Sequence, residues 1–447
     1  MKEIDLATPV ERAVKTLSKM DLDVFDVYAA YSRSLNIDIL GKGIKEAKSR
    51  VDLGLGVRAY KNRGLGVAFS QSLKSRDVET TVLRAAGFAR VAQPDPYFKG
   101  IPGPSKAPEI SGLCDPEILA LTLGGAGELA KRMIDTVEAV SPGAMYGGGF
   151  GATYSRSCLM TSTGVSVSGE KTFASAFIGP TYRKGDDIGS SSEFDYAISL
   201  AEVDFEDIGK KAAEKALEQF GSKKVESGTL PIILTPDSTT SLIFGLMGAI
   251  SGESVVKGRT FASGCLRQQI APEMLEINDD GTIPGAISSD AYDGEGVSRR
   301  PTKVVGNGEV LTFLHNSYSA EIAGVETTGH AIRGGYGGYI GAGPSNVKVK
   351  PGDSSLDEMI AETKNGILAT NAGFSPNMVS GEFSTTIDEG FLIEDGEKMH
   401  PVKNLMTGGH FLELYRNIEL ISKEGRTIGK GYFFPTIKIS KIKLAGK

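Results

Sequence analysis

The run Val51-Asp52-Leu53-Gly54-Leu55-Gly56-Val57-Arg58-Ala59-Tyr60-Lys61-Asn62-Arg63-Gly64-Leu65-Gly66-Val67-Ala68-Phe69-Ser70 sets the fold class. Val51, Leu53, Leu55, Val57 and Ala59 alternate with Asp52, Gly54, Gly56, Arg58 and Tyr60, the period-two pattern of a strand with one apolar face. Lys61-Asn62-Arg63-Gly64 turns the chain, and Leu65, Val67 and Phe69 resume the period, so the segment predicts a β-hairpin. Gly54-x-Gly56-x-x-Ala59 has the outline of a dinucleotide fingerprint. That motif needs a strand running into a helix, and this one runs into a hairpin, so no dinucleotide site is read.

Upstream, Thr8 is expected to cap a first helix, with Pro9 at its first position and Glu11 completing a capping box. Leu22–Ala30 and Leu35–Leu40 read as two strand-like runs. Downstream, Asp77–Val91 reads as a helix, and the five prolines in Ala92–Asp115 mark a linker. Asp115-Pro116 is expected to open one long helix through about Val140. Gly143 to about Val203 is an antiparallel strand region with turns at Ser162-Thr163-Gly164 and Lys184-Gly185-Asp186. A helix follows at about Phe205–Phe220, and Gly221-Ser222-Lys223-Lys224 is a second boundary. Leu230–Leu234 is a short strand, and Thr235-Pro236-Asp237-Ser238 starts a helix through about Ser251. From about Thr260 short β-segments dominate, interrupted by helices at Leu356–Asn365 and near His410–Asn417.

The composition excludes several classes. With 447 residues, 40% hydrophobic and 23% charged, the chain is long enough for about three domains and is not intrinsically disordered. A net charge of -6 and the absence of Trp argue against direct nucleic-acid binding, whose affinity rests on phosphate contacts and stacking. Cys114, Cys158 and Cys265 are far apart and odd in number, which fits reduced thiols in the cytoplasm. The first twenty residues carry charges throughout and have no apolar h-region, and nowhere are there 18 consecutive apolar residues. Neither a signal peptide nor a membrane span is expected.

No catalytic constellation stands out from residue chemistry. The four histidines, His315, His330, His400 and His410, form no HExxH and no pair at helical spacing. A GxSxG elbow and a P-loop are absent. Gly334-Gly335-Tyr336-Gly337-Gly338-Tyr339-Ile340-Gly341-Ala342-Gly343 reads either as a flexible loop or bulged strand, or as a bare edge that a peptide could pair with. Asp279-Asp280-Gly281 and Asp293-Gly294-Glu295-Gly296 are acidic, but neither has the spacing of a calcium loop.

An ordered set of segments resembles the TldD/PmbA family, in its PmbA (TldE) branch. It comprises Gly56–Tyr60 with Gly64–Ser70, Gln269–Pro272 with Asp279–Gly285, and Asp293–Val297. Asn316–Ala320, Thr327–Ala331 and Gly390–Glu397 with Pro401-Val402 complete it. The resemblance implies a subunit of a cytosolic metallopeptidase complex acting on peptides and small unfolded or modified proteins. The family has also been called a modulator of DNA gyrase. In the TldD branch a helix bearing His-Glu-x-x-x-His and a later cysteine hold zinc. Here the matching positions are Ile243, Phe244 and Gly248, and the late region Met378–Thr385 has no cysteine.

The resemblance and the residue pattern together predict an α+β protein. A two-lobed N-terminal α/β region with antiparallel sheets (lobes 1–110 and 111–222) precedes a mostly β C-terminal domain (223–447). That domain is expected to be sandwich- or barrel-like, with one buried helix carrying the degenerate metal-site positions. The expected function is a non-catalytic TldE-like subunit with no cofactor of its own, zinc residing in a TldD-like partner, as a heterodimer or else as a homodimer. Tyr318, His330, Gly334, Gly335, Gly337 and Gly338 are the substrate-binding candidates. One rival reading is a hydrolase using a metal set drawn from His315, His330, Asp290 or Glu295. Another is a protein that binds DNA gyrase without peptidase work.

Overall fold

β1 (Val24–Gly41), β2 (Gly43–Lys61) and β3 (Gly64–Ser70) form an antiparallel meander in the computed structural model, which describes residues 4–446. Residues 1–3 of the charged N-terminal stretch lie outside the described residues. Asn62 (φ 50°) and Arg63 (φ 65°) make the β2–β3 turn, both in the left-handed region that a two-residue hairpin loop requires. The two strand runs expected at 22–30 and 35–40 are one strand: the odd residues of β1 keep a single face inward from Phe25 to Ile39. The polar residues between them do not break the strand, because Ser32 and Ser34 fall on the opposite face and Arg33 has a buried job.

β4 (Met145–Thr161), β5 (Ser166–Lys184), β6 (Asp187–Ser190) and β7 (Glu193–Ala197) extend the sheet to seven strands, with β1 paired to β4 along its length. Five helices serve it: α1 (Ala7–Leu17), α2 (Ser75–Val91), α3 (Pro116–Ala120), α4 (Leu123–Val140) and α5 (Phe205–Glu218). The inward face of β1 feeds two cores. Phe25, Val27 and Ala29 pack with α1 and α2, whereas Leu35, Ile37 and Ile39 pack with α4. Between these cores Arg33 Nη2 donates to the carbonyl of Leu121 at 2.8 Å, at the end of α3. The single long helix expected from Asp115 is therefore two: α3 stops at Leu121, and Thr122 caps α4 by accepting from the Gly125 amide at 3.1 Å. The expected capping box at Thr8 does not form; α1 begins at Ala7, and the Thr8 amide donates to Asp5 at 3.0 Å.

The proline-rich stretch 92–115 is not a free linker. It is irregular backbone clamped from both sides, as its polar groups require when covered. Leu113 accepts from Thr172 of the sheet at 2.9 Å, while Ser111 accepts from Gly285 at 2.9 Å and Ser105 from Ser298 at 2.8 Å, both in the C-terminal domain.

The C-terminal domain holds an eleven-stranded sheet that closes on itself as a five-stranded barrel. The barrel strands are β8 (Gly228–Leu234) and the segments Asn365–Ala372, Glu382–Glu394, Leu405–His410 and Tyr432–Ala445. Closure is the antiparallel pairing of Tyr432–Ala445 with β8, in which Ile437 faces Leu234. α6 (Pro236–Ala249) packs on this barrel with Leu242, Ile243, Leu246 and Met247 fully buried. The helix expected at 356–365 ends at Ala361, and a helix at Ser317–Ala323 had no period to announce it. Among the described residues no helix is long and apolar enough to cross a membrane.

The even-numbered face of β1 and β2 meets the C-terminal domain through the tip of a hairpin, Ala331–Arg333 paired with Ile340–Ala342. A Cβ on Gly56 would lie 1.7 Å from the Tyr336 carbonyl oxygen, and one on Gly54 would lie 2.4 Å from the Tyr336 ring. Glycine is required at both by close approach. Gly56→Ala is expected to cost about 2–4 kcal/mol, as an overpacked contact with backbone that cannot relax. Adding Tyr336→Ala should not rescue it, because the clash is with a carbonyl, but should partly rescue Gly54→Ala. Denaturant midpoints of the four variants read the difference.

Candidate functional site

Asp26 interrupts the apolar start of β1 and is 1% exposed. Its carboxylate meets Arg58 Nε at 2.7 Å, directly across the β1–β2 ladder, and Arg333 Nη1 at 3.1 Å, from the hairpin of the other domain. Burial alone would raise the Asp26 carboxyl; Arg333 and Arg58 outweigh it and hold the group below its ordinary range. Arg333 is fixed further by donating from Nε to the Gly294 carbonyl at 2.8 Å and by lying 4.9 Å over the Tyr28 ring. This triad pins the hairpin to the sheet.

The glycine-rich tip 334–339 then divides the domain junction into two clefts. The first, of about 490 Å³, runs between β3 and the helix Ser317–Ala323. Its apolar wall is Leu65 and Val67, both exposed, together with Phe98, whose ring stacks on Tyr60 at 3.8 Å. Its polar end is a chain of contacts: Tyr318 Oη donates to Asp95 at 2.8 Å, and Glu253 takes both Tyr339 Oη and Lys257 Nζ. Lys257 sits 5.8 Å from the Tyr318 ring and 6.0 Å from that of Tyr339. Burial, and then Asp95, push the Tyr318 hydroxyl up to about 12, so it is a hydrogen-bond donor at neutral pH and not a base.

Of the candidate residues, Tyr318, Gly337 and Gly338 line this first cleft, while Gly335 lines the second. Gly334 closes the hairpin tip by donating to the Tyr339 carbonyl at 3.0 Å. The tip is therefore docked, not a free loop. His330 lies elsewhere: it is buried, with Nε2 3.1 Å from Asp279 and Nδ1 2.8 Å from Thr328 Oγ1, so both ring nitrogens are engaged. His315 is also buried, with Nδ1 3.1 Å from Ser319 Oγ; burial and then His330 push it down to about 4, so it is neutral at pH 7.

The acidic residues of 293–296 are consumed in holding backbone. Asp293 accepts from the amides of Glu295 (2.9 Å), Val297 (3.0 Å) and Ala331 (3.0 Å). Glu295 accepts from the Ser317 amide (2.8 Å) and hydroxyl (2.7 Å), and burial followed by Asp293 raises its carboxyl. Asp290 is exposed at the second cleft. Among the described residues no three His, Cys, Asp or Glu side chains are placed to hold a metal ion, so the set His315, His330, Asp290 and Glu295 is not assembled.

The degenerate helix positions are apolar in three dimensions as well. Ile243 is fully buried in the barrel core, and Phe244 packs against Tyr432 at 5.5 Å and Phe434 at 5.8 Å. A Cβ on Gly248 would lie 3.2 Å from Met378 Cε, so the late segment does reach the helix there, bringing a thioether. Sulfur of a methionine and hydrocarbon do not fit zinc, which takes thiolate, imidazole and carboxylate. Sequence reasoning did not single out Asp26, Arg333, Lys257 or Glu253. Only Asp26 carried a signal, as a charge inside an apolar strand.

Three family models match the chain: "PmbA/TldA metallopeptidase domain 1" over residues 25–89, "central domain" over 116–220 and "C-terminal domain" over 227–446. A protein named "Metalloprotease" from Methanothermobacter thermautotrophicus is 33% identical over 235 residues, 52% of this chain and 51% of that one, so the match spans about half the length of either. "Metalloprotease PmbA" from Escherichia coli O157:H7 is 24% identical over 443 residues, covering 94% of this chain and 92% of that one. The crystal structure of TldE from Thermococcus kodakarensis superposes with a TM-score of 0.89 at 26% identity, covering 98% of this chain and all of that one.

Removing the Asp26 carboxylate leaves two buried guanidinium groups unpaired at the domain junction. Asp26→Ala is expected to cost about 3–5 kcal/mol. The folded Asp26 titrates below the ordinary value of 3.8, so its contribution is fully present above that pH and is lost as pH falls through the depressed value. Melting temperature against pH should show an acid limb below about pH 4 in the parent that is flatter in Asp26→Asn.

Proposed function

The chain belongs to the PmbA/TldD metallopeptidase family, and from that premise we propose that it is a TldE-type, non-catalytic subunit of a cytoplasmic TldD-like peptidase. The observation that carries this reading is α6. At the three positions where the TldD branch bears its zinc ligands and base, this chain has a buried Ile243, an aromatic-packed Phe244 and a Gly248 closed off by Met378. Zinc and the water it activates then belong to the partner's chemistry. This chain's share is to enclose and orient the peptide.

The first cleft suits that share. Leu65 and Val67 offer an apolar wall opposite the backbone of Gly337 and Gly338, whose missing side chains make room for the protein's own Phe69 ring and Gly334 carbonyl. Tyr318 and Tyr339 bring hydroxyls and Lys257 a cation, to orient a peptide backbone or terminus. An extended peptide or unfolded segment is the substrate class, with the heterodimer as the working form and a homodimer as the form adopted when the chain is made alone. The acidic net charge fits a role without direct nucleic-acid contact.

The test is co-expression with a relative that bears His-Glu-x-x-x-His. The two chains should co-elute, cleave an unfolded protein, and lose that activity to a chelator. This chain alone should purify without stoichiometric zinc and without chelator-sensitive cleavage; finding both would overturn the reading. Within the complex, Tyr318→Phe with Lys257→Met should lower kcat/KM roughly tenfold, about 1.4 kcal/mol of lost positioning.

A further inference from the structure

The second cleft, of about 680 Å³, lies between β1, β4 and β5 on one side and Asp290-Ala291 with Gly335-Tyr336 on the other. It is within the size range of small-molecule sites. Lys171 stands in it, and its Nζ donates to one acceptor, the Ser289 carbonyl at 2.8 Å. Among the described residues it forms no ion pair, although an ammonium carries three donors and is costly to desolvate unpaired. Burial, followed in the same direction by Arg299, brings it down to about 8 against the opposing pull of Asp290. Two other desolvated charges at the domain junction do have counter-ions: Asp26 has Arg58 and Arg333, and Glu193 has Lys215 and Arg426.

The other charges of the cleft define what would complete Lys171. Arg156 adds a second cation, while Glu170, Asp290 and Asp52 add three carboxylates. A dianion such as phosphate would meet those acids at close range, and a cation alone would leave Lys171 unpaired. A molecule with both charges pairs with both sets. Leu113 and Tyr31 give its remaining atoms an apolar patch.

We propose that this second cleft binds a zwitterionic ligand of the amino-acid or short-peptide class, its carboxylate on Lys171 and its ammonium toward Asp290 and Glu170. The site is separate from the first cleft and stands whether or not the chain is a peptidase subunit.

The probe is alanyl-alanine on the full chain by titration calorimetry, against the N-acetylated dipeptide, the C-amidated dipeptide and inorganic phosphate. The free dipeptide should bind, and blocking either end should weaken it at least tenfold. Affinity should fall as pH rises through about 8, where the amine loses its proton. Lys171→Met should weaken binding at least tenfold, with Lys171→Arg retaining part of it. In the parent protein, which needs no variant to fold, the dipeptide should protect Lys171 from acetylation, read by peptide mass spectrometry. Absence of binding and protection at millimolar dipeptide, equal binding of the blocked forms, or phosphate binding in preference would each overturn the proposal.

Discussion

The junction of the two halves depends on one buried carboxylate shared by two guanidinium groups. Asp26 is covered by protein on all sides, and an isolated charge there would be untenable. Arg58 reaches it from the neighbouring strand of the same sheet and Arg333 from the other domain, so the three-member pairing is complete only when the domains are together. The same contact orients the hairpin whose glycine tip lies across Gly54 and Gly56, and that tip is what separates one junction into two clefts. Geometry at both candidate sites follows from a pairing that neither domain can make alone.

The parts of the fold with a strong local period were readable in advance. The β2–β3 hairpin announced itself through strict alternation, α2 and α5 through their apolar stripes, and the turns at 162–164 and 184–186 through their glycines. What could not be read was where polar faces go. Asp52, Gly54, Gly56 and Arg58 look like the solvent side of a hairpin, yet they form a domain contact. The prolines of 92–115 punctuate a chain in the same way whether it hangs free or is clamped between two surfaces. Arg33 has no sequence signature at all; its role as a cap for α3 exists only because β1 carries it beneath Leu121.

The candidate site divides along the same line. The three helix positions could be numbered from the family pattern, and the packed core around Ile243 and Phe244 agrees with a helix that has no polar work. His330 stood out because histidines are rare in this chain, but rarity says nothing about partners, and Asp279 and Thr328 occupy both its nitrogens. Lys257, Glu253 and Lys171 looked like ordinary surface charges in a chain with 49 basic residues and 55 acidic ones. Their distinction is the company they keep, which only the tertiary structure assigns.

The barrel's seam has a bearing on how the chain is made. Its first strand, Gly228–Leu234, finds its antiparallel neighbour in Tyr432–Ala445, so the cylinder stays open while the ribosome adds everything in between. The seven-stranded sheet needs nothing beyond β7 for its ladder and can be complete long before. During that interval the apolar lining of the half-built barrel and the exposed edge of β8 face the cell unpaired, the condition in which nascent chains stick to one another. A chaperone that holds unpaired strands would have its longest engagement with residues 228–431, and premature termination anywhere in that span would leave the barrel without its closing strand.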